Sequence, residues 1–183
     1  NPTVEFTGAT TTTTHGAAIT ALAAATTNNF SFTNTFTCDS VYTIDVTNQP
    51  QNYTIDLGLT ISNDLTLPAN YTGTFKTNQT TTHTAGTVNI QAGTFHSVGA
   101  VTSSAVGGGT VGTLNVNQSA GKTAVFRYDN TLTVSGAGAT VQYNAGTWTG
   151  GAANAVIVSA GTLDINDDLT IQGEVQVSGT GVL

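Results

Sequence analysis

The chain has 183 residues, of which only 7 % are charged, and three basic residues face ten acidic ones for a formal net charge of −7. This balance argues against nucleic acid and anionic lipid as partners, because both require clustered Lys and Arg to neutralise phosphate groups. The sequence has no apolar run of 18 residues, so we expect no membrane span. Its 7 Phe, 5 Tyr and 1 Trp, with abundant Thr and Val, favour a folded β protein over a disordered chain.

Residues 1–27 differ in composition from the rest of the chain. The alternating segment 4–7 precedes a Thr run at 10–14 and a small apolar stretch at 16–25, in which Ala and Leu favour helix. Two interpretations stay open: a short helix that caps one end of the fold, or an extended arm. In the second, Val4 and Phe6 would add as a strand to a neighbouring copy. We therefore predict an N-terminal arm or cap at 1–27 and a body at 28–183.

The body begins with residues that alternate between apolar and polar side chains. Phe30, Phe32 and Phe36 are separated by Ser, Thr and Asn, a two-residue period that a helix cannot place on one face. The segment 49–52 contains Pro50 and predicts a turn, because proline cannot donate to a ladder of hydrogen bonds. Residues 28–52 thus read as strands joined by turns.

A four-residue phrase recurs along the body: Thr, an apolar residue, a polar residue and another apolar residue. Its copies start at Thr43, Thr54, Thr87, Thr113, Thr140 and Thr162. The last four starts lie roughly 25 residues apart, a period typical of stacked-repeat architectures. The stretch 59–67 also matches 163–171 at an offset of 104 residues, close to four such periods.

These repeats predict an all-β fold, a β-solenoid or parallel β-helix with an N-terminal arm or cap. Ala-Gly-Thr at 85–87, 92–94, 145–147 and 160–162 supplies glycines for sharp corners. The alternative is an antiparallel β-sandwich completed by a donated strand. For the solenoid, the expected inward residues are Val88, Ile90, Leu114, Val116, Val141, Tyr143, Leu163 and Ile165. Trp148 is also expected in the core rather than on the surface stacking on a sugar.

The phrases Gly-Thr-Leu-Asp-Ile-Asn at 161–166 and Asp-Leu-Thr-Ile at 168–171 resemble repeats of secreted parallel β-helix proteins. Examples are filamentous-haemagglutinin-type adhesins and autotransporter passengers. The resemblance covers roughly residues 54–183. It implies a cell-surface or extracellular fibre with an adhesive or scaffold role.

The sequence offers few groups for catalysis. Asp164, Asn166 and Asp168 resemble the start of a calcium loop, but Leu169 stands where such a loop has glycine, so we expect a polar corner and no metal. Asp167-Asp168 is the only acidic doublet, and consecutive strand residues point to opposite faces. We therefore predict no catalytic residues, no cofactor and no enzymatic activity. The histidines at 15, 83 and 96 lack metal-ligand spacing and are expected at the surface or bonded to backbone.

An ice-binding face is a further function that Thr-rich solenoids suggest. The Thr-x-Thr pairs at 35–37, 72–74, 131–133 and 147–149 are irregularly spaced, and their middle residues range from Gly to Trp. A face built from these pairs would be ragged, so no such function is expected.

Several features indicate an extracellular protein. Trypsin sites are confined to Lys76, Lys122 and Arg127, and the absence of Met suggests a mature product after removal of a leader. Cys38 cannot form a disulfide within the chain, and we expect it buried, with a bond to another subunit as the alternative. Candidate glycosylation sites lie in five Asn-x-Ser/Thr sequons, at Asn29, Asn52, Asn70, Asn78 and Asn117.

The expected function is a structural subunit of an extracellular filament or cell-surface coat. Copies would assemble head to tail through strand edges and the N-terminal arm, because open solenoid ends must be covered. The alternative is an adhesin or glycan-binding module on a cell or virus surface. The expected partners are therefore copies of the chain itself, and in the alternative glycans or a cell surface.

Overall fold

A computed structural model describes some residues by their backbone alone and others together with their side chains. Residues 3–6, 18–19, 28–32, 36–38, 42–44 and 51 are described as strand backbone. Residues 52–56, 58–104, 113–150 and 156–183 are described with their side chains. No helix occurs in these segments, so none of them offers a helix able to cross a membrane.

Within the described residues, twenty-one strands form three parallel sheets of seven. Sheet 1 contains β1 (Thr3–Phe6), β3 (Asn28–Phe32), β6 (Gln51–Ile55), β9 (Thr74–Thr77), β12 (Gly93–Ser97), β15 (Ala124–Tyr128) and β18 (Thr147–Gly150). Sheet 2 contains β4 (Phe36–Cys38), β7 (Leu59–Ile61), β10 (Thr81–His83), β13 (Val101–Ser103), β16 (Leu132–Val134), β19 (Val156–Val158) and β21 (Val175–Val177). Sheet 3 contains β2 (Ala18–Ile19), β5 (Tyr42–Ile44), β8 (Leu65–Leu67), β11 (Thr87–Ile90), β14 (Thr113–Asn117), β17 (Thr140–Ala145) and β20 (Thr162–Ile165).

The chain passes through sheets 1, 2 and 3 in turn, and each strand pairs in parallel with the strand one turn away. Five complete turns run from β6 to β20. This is the β-solenoid that the repeats predicted, and the parallel pairing excludes the antiparallel sandwich. The glycine corners are also as predicted. Gly86 and Gly93 have φ values of 77° and 71°, and a Cβ on Gly86 would collide with the backbone of Asn63.

The core is built from columns of inward residues that stack from turn to turn. In sheet 3, Val88, Leu114, Val141 and Leu163 form one column, and Ile90, Val116, Tyr143 and Ile165 form the next. All of these predicted core residues are buried except Ile165, which is 39 % exposed because no described strand covers that part of β20.

Aromatic rings form the corresponding column of sheet 1. Tyr53, Phe75, Phe95, Phe126 and Trp148 occupy the same position in five successive turns. Neighbouring ring centroids lie 5.8, 5.9, 6.1 and 5.0 Å apart, within the range of attractive ring pairs. Trp148 is only 7 % exposed, which confirms its prediction as a core residue.

The strands described in the N-terminal segment belong to the same sheets as the body. β1 pairs with β3 of the same chain, with Val4 beside Phe30 and Phe6 beside Phe32. The alternation that suggested an arm for a neighbour therefore matches the next strand of its own sheet. Ala18 and Ile19, inside the stretch that favoured helix, form β2 and pair with β5. The sheets thus continue across the predicted boundary at residue 27.

Candidate functional site: three faces and one open end

Strand alternation gives each sheet an outer face whose chemistry is set by the register. The outer face of sheet 2 carries almost only hydroxyls. In three successive turns the outward positions are Thr80, Thr82, Thr84; Ala100, Thr102, Ser104; and Thr131, Thr133, Ser135. We call these nine positions the hydroxyl array. Thr60 and Ser62 continue it by one turn on one side, and Ile157 and Ser159 follow on the other.

The outer face of sheet 3 carries a Thr column beside a column of amides. Thr87, Thr113, Thr140 and Thr162 are in register, as are Asn89, Asn115, Gln142 and Asp164. The amides bond to one another between turns. Asn144 Nδ2 donates to Asn115 Oδ1 at 2.8 Å, and Gln142 Nε2 donates to Asp164 Oδ2 at 2.7 Å. This face largely satisfies its own polar groups.

The candidate calcium ligands lie at the end of this amide column. Asp164 also accepts from Asn166 Nδ2 at 3.1 Å, and Asn166 donates to Asn144 at 3.0 Å. In the following corner Asp167 Oδ1 accepts from the backbone N–H of Asp168 at 2.9 Å, the bond expected of a polar corner. The described residues contain no group of three His, Cys, Asp or Glu placed to hold a metal ion.

The outer face of sheet 1 gathers cationic side chains. Lys76, His96 and Arg127 stand in register on β9, β12 and β15. Asp129 accepts from His96 Nε2 and from Arg127 Nε, both at 2.8 Å. Burial acts to raise the pKa of Asp129, but the bonds from Arg127 and His96 outweigh it, so the pKa is lowered overall. Asp129 thus offsets part of the positive charge that Lys76 and Arg127 bring to this face.

A shallow cleft of about 370 Å³ lies where the corners meet sheet 1. Its lining residues are Tyr71, Thr72, Ala92, Gly93, Thr94, Gly121, Lys122, Thr123 and Val125. Hydroxyls and one ammonium group lie among apolar surface in its lining, to which the buried Tyr71 contributes. Arg127 and the acidic doublet 167–168 do not line it, so the structure does not assemble an acid–base site there.

Sequence reasoning missed a polar network in the core under sheets 1 and 2. His83 is fully buried; Ser103 Oγ lies 3.2 Å from its Nδ1, and the Gly86 carbonyl lies 3.0 Å from its Nε2. These partners fit a neutral ring whose Nε2–H donates to the carbonyl. Burial lowers the pKa of His83 and favours that neutral form. The hydroxyls of Thr81 and Ser97 bond at 3.0 Å nearby.

The last turn leaves an open end. Val175 and Val177 of β21 are 38 % and 47 % exposed although they stand above the buried Val156 and Val158. Val182 and Leu183 are 54 % and 66 % exposed. Together with Ile165 these five side chains form the apolar end, a surface beside strand edges that no described strand pairs.

The sequons differ in their surroundings. Asn70 and Asn117 are exposed, whereas Asn78 Nδ2, the atom to which a glycan would be attached, donates to Asp56 Oδ1 at 3.0 Å. Asn52 Oδ1 accepts from the backbone N–H of Thr74 at 2.9 Å. The side chains of Asn29, Cys38, Val4 and Phe6 and all of residue 15 lie outside the described residues.

The chain matches no family model, no curated protein and no solved structure. Its function is therefore inferred from the three faces, the cleft and the apolar end.

Proposed function

We propose that the protein is a structural β-solenoid subunit of an extracellular filament or cell-surface coat, in which copies stack end to end. The observation that carries the proposal is the apolar end, where Ile165, Val175 and Val177 of the core columns are exposed, while Val182 bonds to part of the edge of β20. Fully burying one Val or Leu side chain contributes about 1.5–3 kcal/mol. Such a surface favours binding of a partner whose strands extend the three sheets and whose inward side chains extend the core columns.

A second copy has the geometry to be that partner. The same three sheets end in β18, β20 and β21 at one end and in β1, β2 and β4 at the other. All strands of a sheet run parallel, so a copy stacked in the same orientation continues each ladder. Such a head-to-tail contact does not close on itself and produces a fibre.

Val4 and Phe6 keep a place in this assembly, but not as an extended arm. They lie in β1, the edge strand of sheet 1 at the other end. In a stack, β1 would continue sheet 1 beside β18 of the next copy, as part of a terminal turn.

The extracellular location rests on the sparse Lys and Arg and on the exposed sequon residues Asn70 and Asn117. The proposal includes no enzymatic activity and no cofactor. Secretion from a glycosylating host followed by intact mass with and without peptide N-glycosidase tests occupancy of these two sites. Secreted protein that stays unmodified at both would contradict the glycosylation part.

Assembly is tested by electron microscopy and light scattering of the purified chain. Val177→Asp places a charge in the apolar end and should leave folded monomers where the wild type forms fibres. The matched control, Ala137→Asp, places the same charge at an exposed corner between β16 and β17, inside the stack of turns, and should still assemble. A wild type that stays monomeric at all concentrations, or equal assembly of both variants, would refute end-to-end stacking.

An adhesin is the second candidate, and the cleft favours it. Hydroxyls of Thr94 and Thr123 beside the exposed Lys122 suit an acidic sugar. Binding to a glycan array that is lost in Lys122→Ala, but kept in Lys76→Ala, would support it. Dispersed monomers without glycan binding would count against both functions.

A further inference from the structure

We infer that the hydroxyl array on sheet 2 binds an extended lattice of ordered water, the surface of an ice crystal. The inference concerns a lateral face and is independent of end-to-end stacking. It rests on the register of the strands that carry the array and on the hydroxyl groups of its central column, which remain available to water.

The array repeats in two directions. Its columns are in register through β10, β13 and β16, so equivalent hydroxyls follow one another at the strand spacing of about 4.8 Å. Each of these three-residue strands has one outward residue, and the flanking array positions lie just beyond its two ends; in extended chain, positions two residues apart are separated by about 6.6 Å. Hexagonal ice repeats its oxygen atoms at similar spacings along two perpendicular directions. A rigid array of this kind can therefore hold water at positions that the crystal already uses.

The chemistry of the array suits water and little else. Eight of its nine positions are Ser or Thr and the ninth is Ala100, so the face has no charge and no large side chain. Thr82, Thr102 and Thr133 form its central column, and within the described chain their hydroxyls bond to no protein group. Each hydroxyl thus keeps one donor and two acceptor sites for water. The β-branched Thr side chain is stiff at χ1, which lowers the entropy cost of ordering it.

Sheet 3 provides an internal comparison. It also has a Thr column, but the neighbouring amides bond along the axis, as Asn144 does to Asn115 and Asn166 does to Asn144. These three amides therefore bond within the sheet, and Asp164 adds a charge at one end, which the array lacks. The difference favours sheet 2 as the face that binds the lattice.

The core beneath the array supports its rigidity. His83 on β10 bonds to Ser103 on β13 and to the corner at Gly86, which ties two strands of sheet 2 to the start of sheet 3. Thr81 on β10 bonds to Ser97, which links sheet 2 to sheet 1. These buried bonds hold the strands that carry the central column in a fixed position.

The test measures thermal hysteresis and the adsorption of fluorescently labelled protein to a single ice crystal. Wild-type protein should shape ice, lower the freezing point below the melting point and coat the crystal. Thr102→Tyr puts a ring in the centre of the array and should remove most of the hysteresis. Thr133→Tyr should do the same one turn away, which protects the test if one variant misfolds.

The matched control is Thr113→Tyr, which makes the same change on sheet 3 at the strand that follows β13. It should keep wild-type hysteresis, and circular dichroism should show all variants folded. Wild-type protein that neither shapes nor coats ice would overturn the inference. Equal loss in Thr113→Tyr and Thr102→Tyr would overturn it too, because the array would then have no special role. Fibre formation should be unchanged in Thr102→Tyr, which separates this result from that of end-to-end stacking.

Discussion

Replacing Leu114 by Asp tests the column model at its centre. Leu114 is fully buried and stands between Val88 in the turn before and Val141 in the turn after. Its neighbour in sequence, Asn115, points outward and accepts a hydrogen bond from Asn144. The same new residue at two adjacent positions therefore meets opposite environments.

The magnitude follows from burial. Removing a buried Leu side chain costs about 2–5 kcal/mol, and a buried, unpaired carboxylate adds several kcal/mol more. A domain of this size is stable by about 5–15 kcal/mol in total. Each turn of a solenoid depends on its neighbours, so a defect in the central turn cannot be absorbed by fraying at an end. We expect Leu114→Asp to lose most or all of its folded population.

Asn115→Asp is the control, because a carboxylate oxygen can accept the same bond from Asn144. Its stability should stay within about 0.5 kcal/mol of the wild type. Urea unfolding followed by circular dichroism and by Trp148 fluorescence measures both variants. A Leu114→Asp protein that unfolds at the wild-type urea concentration would refute the stacked-column core.

Three further outcomes follow from the structure. Phe95→Ala interrupts the aromatic column and should cost about 3–5 kcal/mol in urea unfolding, whereas the outward Thr94→Ala should cost less than about 0.5; equal costs would contradict the column. Burial lowers the pKa of His83, so its stability contribution is full above the ordinary pKa of about 6.5 and is lost as the pH falls below it. Melting temperature should therefore drop more on acidification in the wild type than in His83→Gln, and parallel curves would be inconsistent with a neutral buried ring. Chelation with EDTA should leave the melting temperature unchanged, since the corner at 164–168 bonds to itself; a clear drop would establish a structural metal.

The fold could be predicted because one sheet repeats almost regularly. The phrase starting at Thr87, Thr113, Thr140 and Thr162 marks sheet 3, where turns of similar length bring equivalent residues back to the same face. The copy at Thr54 belongs to sheet 1 instead, because any half-buried strand that begins with Thr fits the same phrase.

The hydroxyl array could not be recognised from the sequence. Thr82, Thr102 and Thr133 are neighbours in space but are separated by corner segments of different length, so no constant spacing marks them. Only the strand register aligns them. The Thr-x-Thr pairs of the sequence belong to different sheets, since 131–133 lies on sheet 2 and 147–149 on sheet 1.

The partner of the N-terminal strand could not be predicted for a similar reason. Alternating apolar residues such as Val4 and Phe6 fit any parallel edge, whether it belongs to the same chain or to another. The local alternation predicts that a segment forms a strand. Which strand it pairs with depends on the length of the chain that connects the two. The Thr- and Ala-rich composition of residues 7–27 gave no sign in the sequence that β1 pairs with β3.

The aromatic column also provides an intrinsic fluorescence signal of whether the turns remain stacked. Trp148 is the single indole, and it contacts Phe126, Tyr128 and Tyr143 with ring centroids 5.0, 6.1 and 6.2 Å away. Tyr128 lies one turn away, so the transfer of its excitation to this indole depends on the two turns staying stacked, whereas Tyr143 is only five residues from Trp148 in the sequence. Emission from Trp148 on tyrosine excitation therefore distinguishes a continuous rod from one that has opened between turns, without any added label.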